Sequence, residues 1–169
     1  MISAEIAIPV TEGAGFASGL WVVQNKDAMI ELNPRIVEAV EQFGESHLEI
    51  VGVFVFGSAA TGKTHSASDV DVAVLVEDAF LKERRALPLV LDYVVELEPL
   101  LGSDVDVVVL NTASPLLRHQ VFKKGILVFA RDHRRIRRFI GDALVEFLDE
   151  IVLLERLQKR AIERQFLGR

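Results

Sequence analysis

Blocks of apolar residues, separated by short polar stretches, predict an ordered series of helices and strands between residues 33 and 165. Asn33-Pro34 resembles a helix cap followed by proline at the first helical position. The run over residues 50–56 is almost wholly apolar, which is typical of a strand covered on both faces. The predicted order is a helix from 33, strands over 50–56 and 69–76, a helix over 80–101, a strand over 104–110, a helix over 114–122 and a strand over 126–130. Pro88 should kink or restart the helix over 80–101.

The last predicted element is one long amphipathic helix over residues 132–165. Its apolar residues recur at steps of three or four and form a stripe along one face; they are Ile136, Ile140, Ala143, Phe147, Ile151 and Leu154. The element order predicts an α+β (two-layer α/β) domain, with a small mixed sheet, helices packed on one face and this long C-terminal helix. The expected divisions are an N-terminal extension over 1–28, a main domain over 29–130 and the helical segment 131–169.

The N-terminal extension shows weak patterning, so two accounts of it stay open. Either residues 20–23 add a strand, or the chain start lies upstream of the natural one.

Composition narrows the classes of function. The net charge of −6 argues against a general nucleic-acid binder, which must neutralise phosphates. The chain has no cysteine, so a zinc–thiolate site and a thiol nucleophile are excluded. No apolar run reaches about 18 residues, so we expect no membrane contact and a cytoplasmic location.

The chemistry is concentrated in two short segments, Gly57-Ser58 and Asp69-Val70-Asp71. Two carboxylates two positions apart on a strand point to the same face, and their repulsion is relieved by a cation. Mg²⁺ prefers such oxygen ligands together with water and substrate phosphates. Gly57 and Ser58 follow a buried strand, where a small residue lets the backbone approach an anionic group such as a triphosphate. Ser68 is either a phosphate contact or a turn former.

A third carboxylate is needed if a second metal is to activate an attacking hydroxyl. Asp104 and Asp106 both lie on the next predicted strand, on the same face. Asp104 follows Gly102-Ser103, where turn carboxylates are common. Asp106 is flanked by valines, where a carboxylate without a partner is costly. We therefore predict Asp106 as the third site residue, with Asp104 as its rival.

Gly57-Ser58, ten residues, then Asp69-Val70-Asp71 resembles the G-S-x10-D-x-D signature of polymerase-beta-type nucleotidyltransferases. Residues 105–110 and 115–125 resemble the rest of the minimal nucleotidyltransferase (MNT) domain. The resemblance spans about residues 33–129. It implies the polymerase-beta-like fold, Mg²⁺ held by Asp69, Asp71 and Asp106, and ATP as co-substrate. Gly57, Ser58 and Ser68 are then the nucleotide-binding residues.

Small single-domain members of this kind resemble the antitoxins of HEPN/MNT toxin–antitoxin systems. That resemblance implies transfer of AMP to a tyrosine of a HEPN-domain ribonuclease toxin, with no direct nucleic-acid binding and homo-oligomerisation left open. One alternative is an aminoglycoside-type enzyme with a small-molecule acceptor. Another is a weakened relative that acts by binding alone, because many members have arginine where this chain has Ala59 and Thr61. The C-terminal helix either docks a helical partner or packs on the sheet.

Overall fold

The computed structural model describes residues 32–61, 69–83 and 86–167. The predicted helices and strands are found. The region 80–101 contains two helices, in agreement with the expected kink or restart at Pro88. Pro88 lies in the first turn of the second of them, where a backbone N–H has no partner within the helix. The elements are α1 (Pro34–Ser46), β1 (Ile50–Phe56), β2 (Val70–Val76), α2 (Asp78–Glu83), α3 (Ala86–Leu101), β3 (Val105–Val109), α4 (Pro115–Lys124), β4 (Ile126–Ala130) and α5 (His133–Leu167). The strand considered over residues 20–23 lies outside the described residues.

The four strands form one mixed sheet in the order β3-β2-β1-β4. β1 is antiparallel to both β2 and β4, whereas β2 and β3 are parallel. A parallel pair needs a crossover connection, and α2 and α3 supply it. Gly102 ends α3 at φ +66°, and its N–H donates to the Glu98 carbonyl at 2.8 Å, as in a left-handed helix cap. This cap turns the chain directly into the start of β3.

Helices cover both faces of the sheet, which corrects the expectation that they pack on one face; α1, α2 and α3 lie on one face, and α4 and α5 lie on the other. On the first face Phe43 of α1 and Tyr93 of α3 join Val53 and Val55 of β1 in one core. On the opposite face α4 and α5 pack against Val51 and Phe54 through Val121 and Ile136. The reason lies in β1, whose apolar side chains point to both sides and therefore need cover on both. The mixed α+β fold class is confirmed.

The long C-terminal helix is confirmed, and its two halves differ in their surroundings. Asp132 caps its start by accepting from the N–H groups of Arg134 and Arg135 at 2.9 and 3.1 Å. Ile136 and Ala143 are buried, and a Cβ on Gly52 would come within 2.7 Å of Ile136, so α5 packs closely on β1. From residue 152 to residue 160 every side chain is exposed. In the described part of the chain, no helix combines the length and the apolar character needed to cross a membrane.

Candidate active site

One edge of the sheet brings together the residues singled out by the motif. Because β1 runs antiparallel to β2, its last residue, Phe56, pairs with Asp71 near the start of β2. Because β2 and β3 are parallel, Asp71 in turn pairs with Asp106 near the start of β3. The turn that begins at Gly57 therefore lies beside Asp71, and Asp106 lies on its other side. Asp69 directly precedes β2.

The three carboxylates act on one another electrostatically at this edge. Partial burial raises the pKa of the Asp71 carboxyl above its ordinary 3.8, and the charges of Asp106 and then Asp69 raise it further. The Ser58 backbone N–H donates to this carboxylate and acts in the opposite direction. Asp69 and Asp106 are exposed to solvent, whereas Asp71 is half-buried. The structure thus assembles Asp69, Asp71 and Asp106 around the most buried of the three.

Asp104, the rival third carboxylate, has a different place in the structure. It precedes β3, its side chain is exposed, and its backbone carbonyl accepts from the Val70 N–H at 3.0 Å. That bond aligns the start of β2 with the start of β3. Asp104 therefore contributes to the site through its main chain, while Asp106 contributes a carboxylate beside Asp71.

Two features of the structure require glycine at position 57: its backbone conformation and the closeness of the Asp71 side chain. Its φ of +67° is a left-handed conformation that residues with a side chain adopt at a cost. A Cβ at this position would lie 1.9 Å from Oδ2 of Asp71. The anionic group that the glycine admits is thus the protein's own carboxylate. The sequence predicted close approach of a triphosphate at this glycine, whereas the group that the structure places against it is the Asp71 carboxylate.

The donor set at this edge fits a magnesium ion that shares its ligands with a substrate. Within residues 32–61, 69–83 and 86–160, no three His, Asp or Glu side chains are grouped closely enough to enclose a metal ion by themselves. Mg²⁺ does not need such an enclosure, because it keeps several waters and binds one or two carboxylates together with substrate phosphates. A cation beside Asp71 would also relieve the repulsion that raises its pKa.

The Gly-Ser turn itself supplies little side-chain charge for a phosphate. Ala59 and Ala60 are buried in the core beneath it, so position 59 faces inward. Lys123 and Lys124 end α4, and the following Gly125 lies against Val55 and Phe56. The main chain at the end of α4 therefore lies beside the end of β1, a placement that the sequence motif does not give. Ser68, together with Lys63, lies outside the described residues.

Asp71→Asn is expected to raise the melting temperature at pH 7 in the absence of divalent cations. The raised pKa means that the folded state binds a proton more tightly than the unfolded state does. Stability contributed by Asp71 is therefore greatest at low pH and falls as pH rises from about 3.8 through the folded-state pKa. Asparagine removes the charge and keeps an acceptor for the Ser58 N–H.

Thermal unfolding followed by circular dichroism in EDTA checks this expectation. The gain should shrink below about pH 4, where the wild-type carboxyl is protonated in both states. Asp104→Asn is the matched control and should show no comparable gain. A variant that melts below the wild type at pH 7 would contradict the electrostatic account of Asp71.

Comparison with known proteins agrees with this geometry. The chain is 37% identical over 73 residues to the protein adenylyltransferase MntA of Shewanella oneidensis, a match that covers 43% of this chain and 49% of MntA. The chain thus spans about half the length of this curated relative. It also resembles a solved toxin–antitoxin structure with AMP-PNP, at 26% identity and a TM-score of 0.54, covering 79% of this chain and 92% of that one.

A mutant of the toxin–antitoxin MntA–HpeT is similar at 25% identity and a TM-score of 0.53, covering 77% of this chain and 91% of that one. The family model described as "Polymerase beta, Nucleotidyltransferase" matches residues 38–134. This range is more than half of the chain, and it contains the glycine-serine turn and all three aspartates. The chain belongs to the polymerase beta nucleotidyltransferase family.

Proposed function

We propose that this protein transfers AMP from ATP to a tyrosine of a cognate HEPN ribonuclease toxin and thereby acts as its antitoxin. The observation that carries the proposal is the edge where Asp71 lies between the Gly57 turn and Asp106. Carboxylates that repel one another beside a tight glycine turn are suited to a cation and a polyphosphate.

Each residue has a defined part in the proposed reaction. Asp69, Asp71 and Asp106 would hold Mg²⁺, which when bound neutralises negative charge on the triphosphate. Ser58 holds Asp71 through its N–H, and its hydroxyl donates to a phosphate oxygen. The exposed Asp106 accepts the proton of the acceptor hydroxyl. The hydroxyl oxygen then bonds to the α-phosphorus, the bond to pyrophosphate breaks, and pyrophosphate leaves.

The names of similar proteins support the proposed acceptor and the proposed partner. The curated relative is named a protein adenylyltransferase, and one similar structure is a toxin–antitoxin with AMP-PNP. These names favour a protein acceptor over a small molecule. Alanine at position 59 favours the second candidate, an antitoxin that neutralises its partner by binding alone, because the turn has no side-chain cation at that position.

Incubation of the purified protein with its cognate HEPN toxin, ATP and Mg²⁺ tests the proposal. Intact-mass spectrometry should find additions of one or more AMP groups on the partner, and peptide mapping should place them on tyrosine. EDTA should prevent the additions. Neutralisation of the toxin without any added mass would support binding alone and contradict the enzymatic proposal.

The third carboxylate can be assigned by comparing two single substitutions on the same stretch of chain. Asp106→Asn should lower the transfer rate by about 10²-fold or more, the usual scale for a lost general base. Asp104→Asn should remain within a few-fold of the wild type, because its contribution runs through the main-chain carbonyl. The transfer rates of the two variants and the wild type are measured by single-turnover kinetics with saturating ATP. The reverse order of the two rates would assign the role to Asp104.

A further inference from the structure

A row of exposed apolar side chains lies along the outer face of α3. Leu87, Leu91 and Val95 recur every four residues and are 70%, 58% and 72% exposed. We call them the α3 ridge. The charged residues of α3 are all acidic; they are Asp92, Glu96 and Glu98. The ridge is therefore an apolar surface flanked by carboxylates, and it is exposed among the residues that the structure describes.

The distal part of α5 also exposes apolar side chains, but its flanking charges are positive. We call residues 152–167 the α5 tip; its side chains from 152 to 160 are all exposed. Leu153, Leu154 and Leu157 are each at least half exposed. Arg156, Lys159 and Arg160 outnumber the single carboxylate between residues 152 and 160. The tip is an apolar helix segment flanked by positive charge.

A long helix that exposes several leucine side chains to water is unfavourable. Helices gain most of their stability from packing an apolar face, and a segment of this length is marginal by itself. The tip and α3 are both 16 residues long, so each spans about 24 Å at 1.5 Å per residue. The two helical segments thus match in length, both expose apolar side chains, and their flanking charges are opposite in sign.

We propose that two copies of this chain associate, with the α5 tip of each copy lying on the α3 ridge of the other. A second copy is the occupant because the chain itself carries both complementary surfaces. In a closed two-fold dimer each surface is used once, so both ridges and both tips are covered. The proposal does not depend on the catalytic activity.

Sedimentation velocity over a concentration series tests the dimer with the full chain alone. Asp92→Lys with Glu98→Lys makes the ridge basic, so it repels a basic tip. Arg156→Glu with Arg160→Glu makes the tip acidic, so it repels an acidic ridge. Asp92, Arg156 and Arg160 are exposed, and Glu98 is partly exposed. Each double variant should have a dimer dissociation constant at least about tenfold above the wild type, the scale expected of like-charge contacts.

Mixing the two double variants decides between modes of association. In the proposed dimer both contacts of the mixed pair join opposite charges, so a 1:1 heterodimer should form. The chain with all four substitutions should likewise dimerise with itself. Tip-to-tip pairing would instead leave the Asp92→Lys, Glu98→Lys variant dimeric on its own. That result, a wild type that stays monomeric, or a mixture that fails to associate would each overturn the proposal.

Discussion

Asp71→Asn should lower AMP transfer by about 10³-fold or more, since a bound metal contributes several kcal/mol and each 1.36 kcal/mol is a factor of ten. Asp71 is the central carboxylate of the site. It lies between Asp106 and the Gly57 turn, and it receives the Ser58 N–H. Asparagine keeps the shape and the hydrogen bond but removes the charge that would hold Mg²⁺. Single-turnover transfer with ATP and Mg²⁺, measured beside the wild type, gives the loss.

The same variant also separates catalysis from folding. The raised pKa of Asp71 predicts that Asp71→Asn loses activity while it gains stability at pH 7. A substitution that damaged the fold would lose both. Asp104→Asn is the control, because this exposed aspartate contributes a backbone carbonyl and should retain activity. Transfer by Asp71→Asn within tenfold of the wild type would remove Asp71 from the proposed chemistry.

The sequence predicted much of this site because the relevant constraints are local. Alternation along a strand is enough to place Asp69 and Asp71 on one face. The preference for Asp106 over Asp104 rested on the cost of burying a carboxylate among valines, whereas the structure leaves both side chains exposed. What distinguishes Asp106 in the structure is its place beside Asp71. The direct pairing of Asp71 with Asp106 was not predictable, because it depends on the parallel register of β2 and β3. Register is a property of two segments that are far apart in the chain.

The surface of α3 shows why other features could not be predicted. Leu89, Tyr93 and Leu97 recur every four residues and are buried. The exposed ridge of Leu87, Leu91 and Val95 has the same spacing and similar hydropathy. Periodicity identifies a helix in both cases, but it cannot say which apolar stripe meets the sheet. Only the packing of α3 against α1 and β3 distinguishes the core stripe from the exposed one.

The two left-handed glycines of the described residues allow a sharp test of how the site is built. Gly57 has φ +67° and Gly102 has φ +66°, so alanine at either position carries a similar backbone strain of about 1–2 kcal/mol. Their surroundings differ. A Cβ at Gly57 would meet the Asp71 carboxylate at 1.9 Å, whereas a Cβ at Gly102 has nothing within 4 Å. Comparing alanine at these two positions therefore separates the effect of backbone strain from the effect of displacing the Asp71 carboxylate.

Gly57→Ala should lower the transfer rate by about 10²-fold or more, because a shift of about 1 Å in a reacting group is enough for such a loss. The new methyl group must push the Asp71 carboxylate away from the Ser58 N–H and from Asp106. Gly102→Ala should lower the melting temperature and leave the transfer rate within a few-fold of the wild type. Thermal unfolding and single-turnover transfer, measured on both variants, separate the two effects. Equal losses of activity in both would mean that Gly57 serves only the turn; a loss confined to Gly57→Ala ties it to the position of Asp71.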